Sequence, residues 1–531
     1  MRIITEEPPG KVPRVRNAAI EETRETHVSW LYFTKNRVLK VKKPVSLGFL
    51  DFSDARFRRI ACHDEVELNR RLSPRVYRGV LHGKWRGDAE LEVLGACPSR
   101  RCGFTGHGHE HIVEMLRLPQ ERALSRIAER GALEEGVLSD LAETISAFHA
   151  RAPAGIDEAR YGTAEAVRSL VSENLAELAP FAGDRIGASL YLAAKDAQTR
   201  FLSESRQHLV RRHRAGKVRD GHGDLHLDHV FDLASPDITP PLSDTDRFAI
   251  IDCIEFGKRF RCADVAADVA FLHMSLMLHG LERLAEHWIS AYSSVASDHD
   301  LYRVIDFYVL YRALVRLKVA CISREELAID RHQDLARRLL SRRHAPRLVA
   351  VGGPVGSGKS TLAEHLARRI GAVLVRSDVL RKRLLGIEPT ASARAPPDKG
   401  AYDPALTQRI YEGMIDAAEA VMESGRSVVL DATWPTPDRR AVLAVAARKR
   451  GAPFRFVSLS CDRDTVRRRL AERDEKQNVI SDARAADVEF LWNRYKQPLE
   501  IPSTNLVKID TTKYDIECAL ARITASLKRT P

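Results

Sequence analysis

The sequence predicts two folds in tandem: an α+β region made of a strand-rich lobe and a helical lobe, then an α/β region on a parallel sheet. Three observations predict them. Strand-like segments crowd residues 26–118, three-to-four spacing of apolar residues dominates from Pro119 to residue 340, and from Pro346 strands and helices alternate. A chain of 531 residues also exceeds what a single hydrophobic core sustains.

Residues 1–25 are polar and carry Pro8, Pro9 and Pro13, which predicts a flexible N-terminal arm. His27–Phe33 and Arg37–Lys43 read as two strands turning at Lys35-Asn36. A helix is expected over Asp54–Leu72, before Pro74, and strands at Leu91–Leu94 and His111–Met115. The lobe boundary falls near residue 119. Beyond it, Leu138–Ala150, Ala164–Leu178 and Ile186–Leu209 carry helical periodicity. Val230-Phe231 and Phe248–Cys253 are short strands bracketing a Pro/Asp-rich loop, and helices resume from Asp264 to Leu340. This places a first domain at 26–340. In the second, 345–531, the apolar segments Arg347–Val351, Val373–Val375, Ser427–Leu430, Phe454–Leu459 and Leu506–Ile509 alternate with helices, as in a doubly wound parallel sheet.

Composition narrows the function classes. The net charge of +12 admits nucleic acid, anionic membranes or phosphorylated ligands as partners, but an aromatic content of 6% argues against base-stacking platforms. No run of 18 apolar residues occurs and Met1–Glu7 has no apolar stretch, so the reading is a cytoplasmic protein without a membrane partner. Eight cysteines are scattered; Cys97 and Cys102 are the closest pair, and no second Cys/His pair comes after them at zinc-ribbon spacing, which reads as free thiols.

The strongest motif is Gly353-Pro354-Val355-Gly356-Ser357-Gly358-Lys359-Ser360, which fits G-x-x-x-x-G-K-[ST] between an apolar strand and an apolar-periodic helix. Gly353, Gly356, Ser357 and Gly358 let main-chain amides face phosphate oxygens. Lys359 reaches the β- and γ-phosphates, Ser360 offers its hydroxyl to Mg²⁺, and Thr361 is next on the same helix end. Asp378, beyond the next strand in Arg376-Ser377-Asp378, stands where open α/β sheets bind ligands and is a candidate general base. Arg381, one turn on, is a candidate for holding a phosphate or acceptor. Ser377 or Asp378 as a plain helix cap stays open beside this. Asp431 ends the run Ser427–Leu430 as a Mg²⁺-side aspartate or as a loop cap. Of the arginines between Cys461 and Arg473, Arg469 and Arg473 share a helix face and are the candidates to close over phosphates; a solvated basic helix is the other reading.

These pieces resemble the small P-loop kinases that include gluconate kinase, zeta toxin and the kinase module of polynucleotide kinase. The likeness spans residues 347–485 and includes Ser481-Asp482-Ala483 after the arginine-rich lid. It implies that Asp378 activates an acceptor hydroxyl.

In the first domain, Gly221-His222-Gly223-Asp224-Leu225-His226 precedes a short strand and Ile250-Ile251-Asp252 ends the next. A kinase-type site needs one aspartate for the acceptor hydroxyl and one for the metal. Lys40 and Lys42 share a strand face, as a phosphate-binding lysine requires, and Glu67 or Glu65 on the next helix is the acid to pair with it. Together these resemble the aminoglycoside phosphotransferase group of the protein-kinase-like fold over residues 26–340. That resemblance implies Asp224 as base, Asp252 on metal and Asp268 as a structural aspartate. Two departures stand out. His229 occupies the position of a magnesium-binding asparagine, with Asp228 beside it, and no glycine-rich loop joins the first two strands. Imidazole is a poor ligand for hard Mg²⁺.

The whole resembles bacterial fusions of an aminoglycoside phosphotransferase-like domain with a P-loop AAA domain. The expectation is an ATP-dependent kinase using ATP and Mg²⁺ on a small-molecule hydroxyl. The alternatives are a nucleotide-dependent switch with a non-catalytic kinase-like domain, and nucleic-acid end processing. The acceptor and the oligomeric state are not encoded in any of these motifs.

Overall fold

The computed structural model describes residues 12–47, 50–87, 90–102, 108–234, 247–341, 345–387, 403–474, 492 and 494–528. The chain divides into two compact units: Met1–Trp288 with Phe307–Ala336, and Ile289–Asp306 with Arg337–Pro531. Among the described residues no helix is long and apolar enough to cross a membrane.

The first unit opens on strands β1 (Arg14–Arg16), β2 (Glu22–Glu25), β3 (Ser29–Phe33) and β4 (Arg37–Lys42), a small hairpin β5 (Ser46–Leu47) and β6 (Leu50–Asp51), and helix α1 (Ala55–Asn69). Strands β7 (Tyr77–Trp85), β8 (Glu90–Ala96) and β9 (His109–Leu116) complete a seven-stranded sheet in the order β1-β8-β7-β9-β4-β3-β2. Asp54 caps α1 by accepting the Arg56 N–H at 2.7 Å. The helix lays Cys62 and Val66 on Phe33, Val38, Tyr77, Val80 and Val113 of the sheet.

Two expectations give way to the observed sheet. The N-terminal arm is not loose throughout: β1 pairs with β8 and β2 with β3, so residues 14–16 and 22–25 form the two edges of the sheet. Their side chains stay largely exposed, so no apolar alternation marks them. And β7, the partner of both β8 and β9, carries no strand signal because Gly79, His82, Gly83 and Lys84 interrupt its pattern.

The helical remainder of this unit centres on helix Val265–Leu278, buried along nearly its whole length. Such a helix must be apolar all round, and V-A-A-D-V-A-F-L-H-M-S-L-M-L nearly is. Asp264 caps it and is itself held by Arg212 at 2.7 and 2.8 Å. Short pairs β10 (Val218–Asp220) with β13 (Cys262–Asp264), and β11 (Val230–Asp232) with β12 (Phe248–Ile250), carry the loops that present Asp224 and Asp252.

The second unit holds five parallel strands: β14 (Leu348–Gly352), β15 (Val373–Arg376), β16 (Val428–Asp431), β17 (Phe454–Ser460) and β18 (Leu506–Asp510), in the order β15-β16-β14-β17-β18. β14 and β16 are buried throughout, as parallel strands covered on both faces are. Helices Lys359–Ile370 and Ile516–Lys528 bury Leu362, Leu366, Leu520 and Ile523 against Val349, Val351, Val429 and Val457. This unit also takes in Ile289–Asp306, which the sequence places with the kinase-like domain. Arg303 pairs with Asp416 and Glu423, and Arg426 with Asp306, so this segment is tied to helix Pro404–Glu423 and the turn after it.

Candidate functional site

The row of strand ends in the second unit builds the first site. Val351 of β14 pairs with Asp431 of β16, and Asp431 with Arg376 of β15. Three neighbouring strands thus end level, and their outgoing segments meet at one edge: the glycine loop after β14, Asp378 after β15, and Asp431 at the tip of β16.

Gly356 and Gly358 take φ of 76° and 84°. At Gly356 the restriction is double, because a Cβ there would also sit 2.6 Å from Val466. The loop leads into helix Lys359–Ile370, whose N-terminus has no side-chain cap. Lys359 Nζ and the Ser357 hydroxyl each donate to the Pro354 carbonyl at 2.8 Å. Ser360 and Lys359 both stand beside the Asp431 carboxyl. Burial pushes the Asp431 carboxyl up, while Lys359 and Ser360 hold it back. Paired hard oxygens from Ser360 and Asp431 beside a lysine fit a magnesium-bound triphosphate. Thr361 lies exposed on the helix's first turn.

Asp378 sits in the first turn of helix Ser377–Leu384, whose N-cap is Arg376 and makes no side-chain cap bond. Neither Ser377 nor Asp378 is therefore the cap, and the half-buried Asp378 carboxylate stands near Asp431 and Tyr411. Arg381 is 7% exposed and packs towards Tyr411, so it is a buried cation behind the site.

Arg469 reaches the loop: its guanidinium lies 3.5 Å from where a Gly358 Cβ would be, and donates to Thr511 Oγ1 at 3.1 Å and Thr511 O at 2.9 Å. Thr511 Oγ1 in turn donates to Ser357 O at 3.0 Å. Thr511 thus ties this arginine to the phosphate loop, a role for which its only sequence signal is a position just after the end of β18. The Arg473 side chain, Ser481-Asp482-Ala483 and most of Gly386–Ala401 lie outside the described residues.

The first unit assembles its site from dispersed segments. Lys40 on β4 meets Glu65 of α1 at 2.9 Å and Asp252 at 2.7 Å, and Lys42 meets the same Glu65 at 2.8 Å as well as Glu255. Glu65 is fully buried. Burial would raise its carboxyl, but the two lysines hold it below the usual range. Glu67 is corrected as the lysine's partner: two residues along a helix it turns to the far face, where it is 74% exposed and pairs with Arg100. Glu255, three residues after Asp252, joins the network with no local pattern to announce it.

Asp268 accepts the His222 N–H at 2.7 Å and the Gly223 N–H at 2.9 Å, and lies 3.2 Å from His149 Nε2. It thereby fixes the turn that presents Asp224. Asp252 adopts φ 64°, and its N–H donates to the Tyr77 hydroxyl at 3.1 Å. His229 stands between the two aspartates: Nδ1 is 3.0 Å from Asp224 O, and Nε2 is 3.6 Å from Asp252 Oδ2. Burial would raise Asp224, but His226, 3.5 Å away, keeps it well below the carboxylate range. Burial likewise opposes protonation of His226, yet Asp224 lifts it to about 9. His229 is pushed down by burial and by His226. Asp228 meets His226 Nδ1 at 3.2 Å rather than Asp252.

Fold and sites together define two units: one whose seven-stranded sheet and helical part gather Lys40, Glu65, Asp224 and Asp252, and one that carries a phosphate-loop motif on a five-stranded parallel sheet. Residues 348–498 match a family model described as an AAA domain. The uncharacterized protein Rv2004c of Mycobacterium tuberculosis H37Rv is 33% identical over 427 residues, spanning 79% of this chain and 80% of its own. An uncharacterized Mycobacterium bovis protein matches to the same extent. The chain belongs to the family of these mycobacterial proteins. Among solved structures it is similar to aminoglycoside 2'-phosphotransferase-IIIa bound to GDP (15% identity, 61% of this chain and 94% of that one, TM-score 0.36). It is also similar to a gluconokinase from Sinorhizobium meliloti 1021 (20% identity, 35% of this chain and 94% of that one, TM-score 0.25).

Proposed function

We propose that the P-loop domain transfers the γ-phosphoryl of ATP to a hydroxyl of a small molecule. The observation that carries this reading is the level row of strand ends, which sets Lys359, Ser360, Asp431 and Asp378 at one edge of the sheet. The loop amides and Lys359 bind the phosphates. Ser360 and Asp431 hold Mg²⁺, which when bound neutralises charge on the phosphate oxygens. Asp378 accepts the proton of the attacking hydroxyl, and Arg469 offers positive charge at the rim of the loop. The protein acts in the cytoplasm on a soluble acceptor.

The test is a screen of a metabolite pool with labelled ATP and the full chain, read by mass spectrometry of phosphorylated products. Lys359→Ala is expected to lower transfer by about 10²-fold or more, while Asp224→Ala leaves it in place. ATP consumed with no phosphorylated product from any pool would sink the transfer reading.

One observation favours a second reading for the kinase-like domain, that of a binding module without phosphoryl transfer. His229 offers nitrogen where Mg²⁺ needs oxygen, and Lys40 is engaged by Asp252. On that reading His229→Asn creates a Mg²⁺- and Asp224-dependent transfer activity that the natural chain lacks, measured in the Lys359→Ala background.

A further inference from the structure

Behind the lysine–glutamate pair, on the far side of α1, lies a cluster that no kinase chemistry uses. Cys97 at the end of β8, Cys102 five residues on, and His111 of β9 direct their ligand atoms to within 4.8 Å of one another. His63 of α1 adds its Nε2 at 3.6 Å from Cys97 Sγ. The sequence hides this set, because the histidines stand 34 residues before Cys97 and 9 after Cys102 rather than in a second paired motif.

The surroundings are built. The Cys102 N–H closes a turn on Ser99 O at 3.1 Å, and Cys97 N–H is fixed to Val80 O at 2.7 Å. Arg59 of α1 donates to Cys102 O at 3.2 Å, and Arg100 pairs with Asp64 at 2.6 Å, so the Cys97–Cys102 loop is clasped to the helix that supplies His63. Cys97 is 3% exposed and His111 2%. His111 Nε2 faces only the Cys102 thiol, at 3.4 Å, and its Nδ1 has no hydrogen-bond partner among the described residues. A buried imidazole facing only a thiol lacks the strong partner that burial ordinarily demands.

We propose that His63, Cys97, Cys102 and His111 form a structural Zn²⁺ site. A tetrahedral zinc with Zn–S near 2.3 Å and Zn–N near 2.0–2.1 Å places sulfur and nitrogen ligands roughly 3.5 Å apart. Two of the four sulfur–nitrogen distances, His63 to Cys97 at 3.6 Å and His111 to Cys102 at 3.4 Å, match it, and His63, which lies outside the set held within 4.8 Å, completes the tetrahedron by turning inward. The two sulfurs, 2.8 Å apart, must spread by about 1 Å towards the ~3.8 Å of a zinc-bound pair, a movement that side-chain rotation at the half-buried Cys102 supplies. On binding, each thiol loses its proton to solvent, and two thiolates balance the dication. Thiolate and imidazole donors select Zn²⁺ over the Mg²⁺ that the phosphate chemistry requires. The site would pin α1, and with it Glu65, to the β8–β9 end of the sheet.

The experiment is metal analysis of the full chain purified under reducing conditions, paired with Co²⁺ substitution of the unmutated protein. Stoichiometric zinc is expected, absent from Cys97→Ser/Cys102→Ser and present in His229→Ala, and Co²⁺ should give a thiolate-to-cobalt charge-transfer band of a tetrahedral centre. Should the cysteine variant misfold, the cobalt spectrum decides by itself. Zinc that persists without the cysteines overturns the proposal. So does a Cys97–Cys102 disulfide, seen as the loss of two thiol hydrogens in the mass, or a chain that takes up Zn²⁺ or Co²⁺ with no thiolate band.

Discussion

The two nucleotide-type sites grip their central lysines differently. Lys359 is bonded to the carbonyl of Pro354, five residues away along one loop, and lies beside the Asp431 carboxyl. Lys40 is bonded to the carboxylates of Glu65 and Asp252, drawn from segments up to 212 residues apart. An incoming triphosphate competes there with a carbonyl dipole, and a full negative charge attracts the ammonium more strongly than a dipole does. At Lys40 the same phosphate must displace or share a carboxylate already in place and approach Asp252, which a divalent cation has to offset. One site is poised for a nucleotide by its own backbone; the other is a self-satisfied network that must be opened first.

Breaking this comparison begins at the acid–base pairs. Asp378→Asn is expected to lower kcat by about 10²–10⁴-fold with nucleotide affinity unchanged, measured by steady-state transfer and nucleotide titration. A parallel loss of affinity would mean that Asp378 holds the nucleotide instead.

Next comes the buried network. Glu65→Gln leaves Lys40 with Asp252 and Lys42 with Glu255 as their remaining carboxylates and is expected to destabilise the first unit by about 1–3 kcal/mol in denaturant unfolding. Glu67→Gln, on the exposed face of the same helix, should change stability by less than about 0.5 kcal/mol. Equal effects would show that the helix as a whole, and not the ion-pair geometry, is what matters.

The smallest effect is with pH. His226 binds its proton more tightly in the folded chain, with a pKa of about 9 against an ordinary 6.5. Its contribution is complete below pH 6.5 and fades as pH rises through 9. Thermal unfolding of the first unit should therefore weaken across that window, and His226→Gln should flatten the trend.

The P-loop was legible because its chemistry is local. Eight consecutive residues supply the turn, the amides, the lysine and the hydroxyl, and the flanking strand and helix are apolar in the right periods. The central parallel strands were legible for a related reason: strands buried on both faces are short apolar runs, and β14, β16 and most of β17 are such runs, while the edge strands β15 and β18 are only partly buried. Asp224 and Asp252 were singled out by His222–His226 and the strand before Asp252, and Asp268 only by the family resemblance.

Legibility ends where the partners are distant in sequence. Choosing Glu65 over Glu67 requires knowing which face of α1 meets β4. Finding β7 requires its partners, because a central strand interrupted by two glycines and polar residues shows no clean alternation. Thr511 and Glu255 enter their sites only through folding.

By itself, then, the order of residues determined the alternation of strands and helices in the second unit and the glycine loop that opens it, since each depends on periodicity or spacing within a few residues. Only the tertiary structure decided which acid neutralises Lys40, that His229 stands between both aspartates, and that two cysteines and two distant histidines share one corner. Those outcomes depend on which faces of separate elements are pressed together, and no local stretch of chain carries that information.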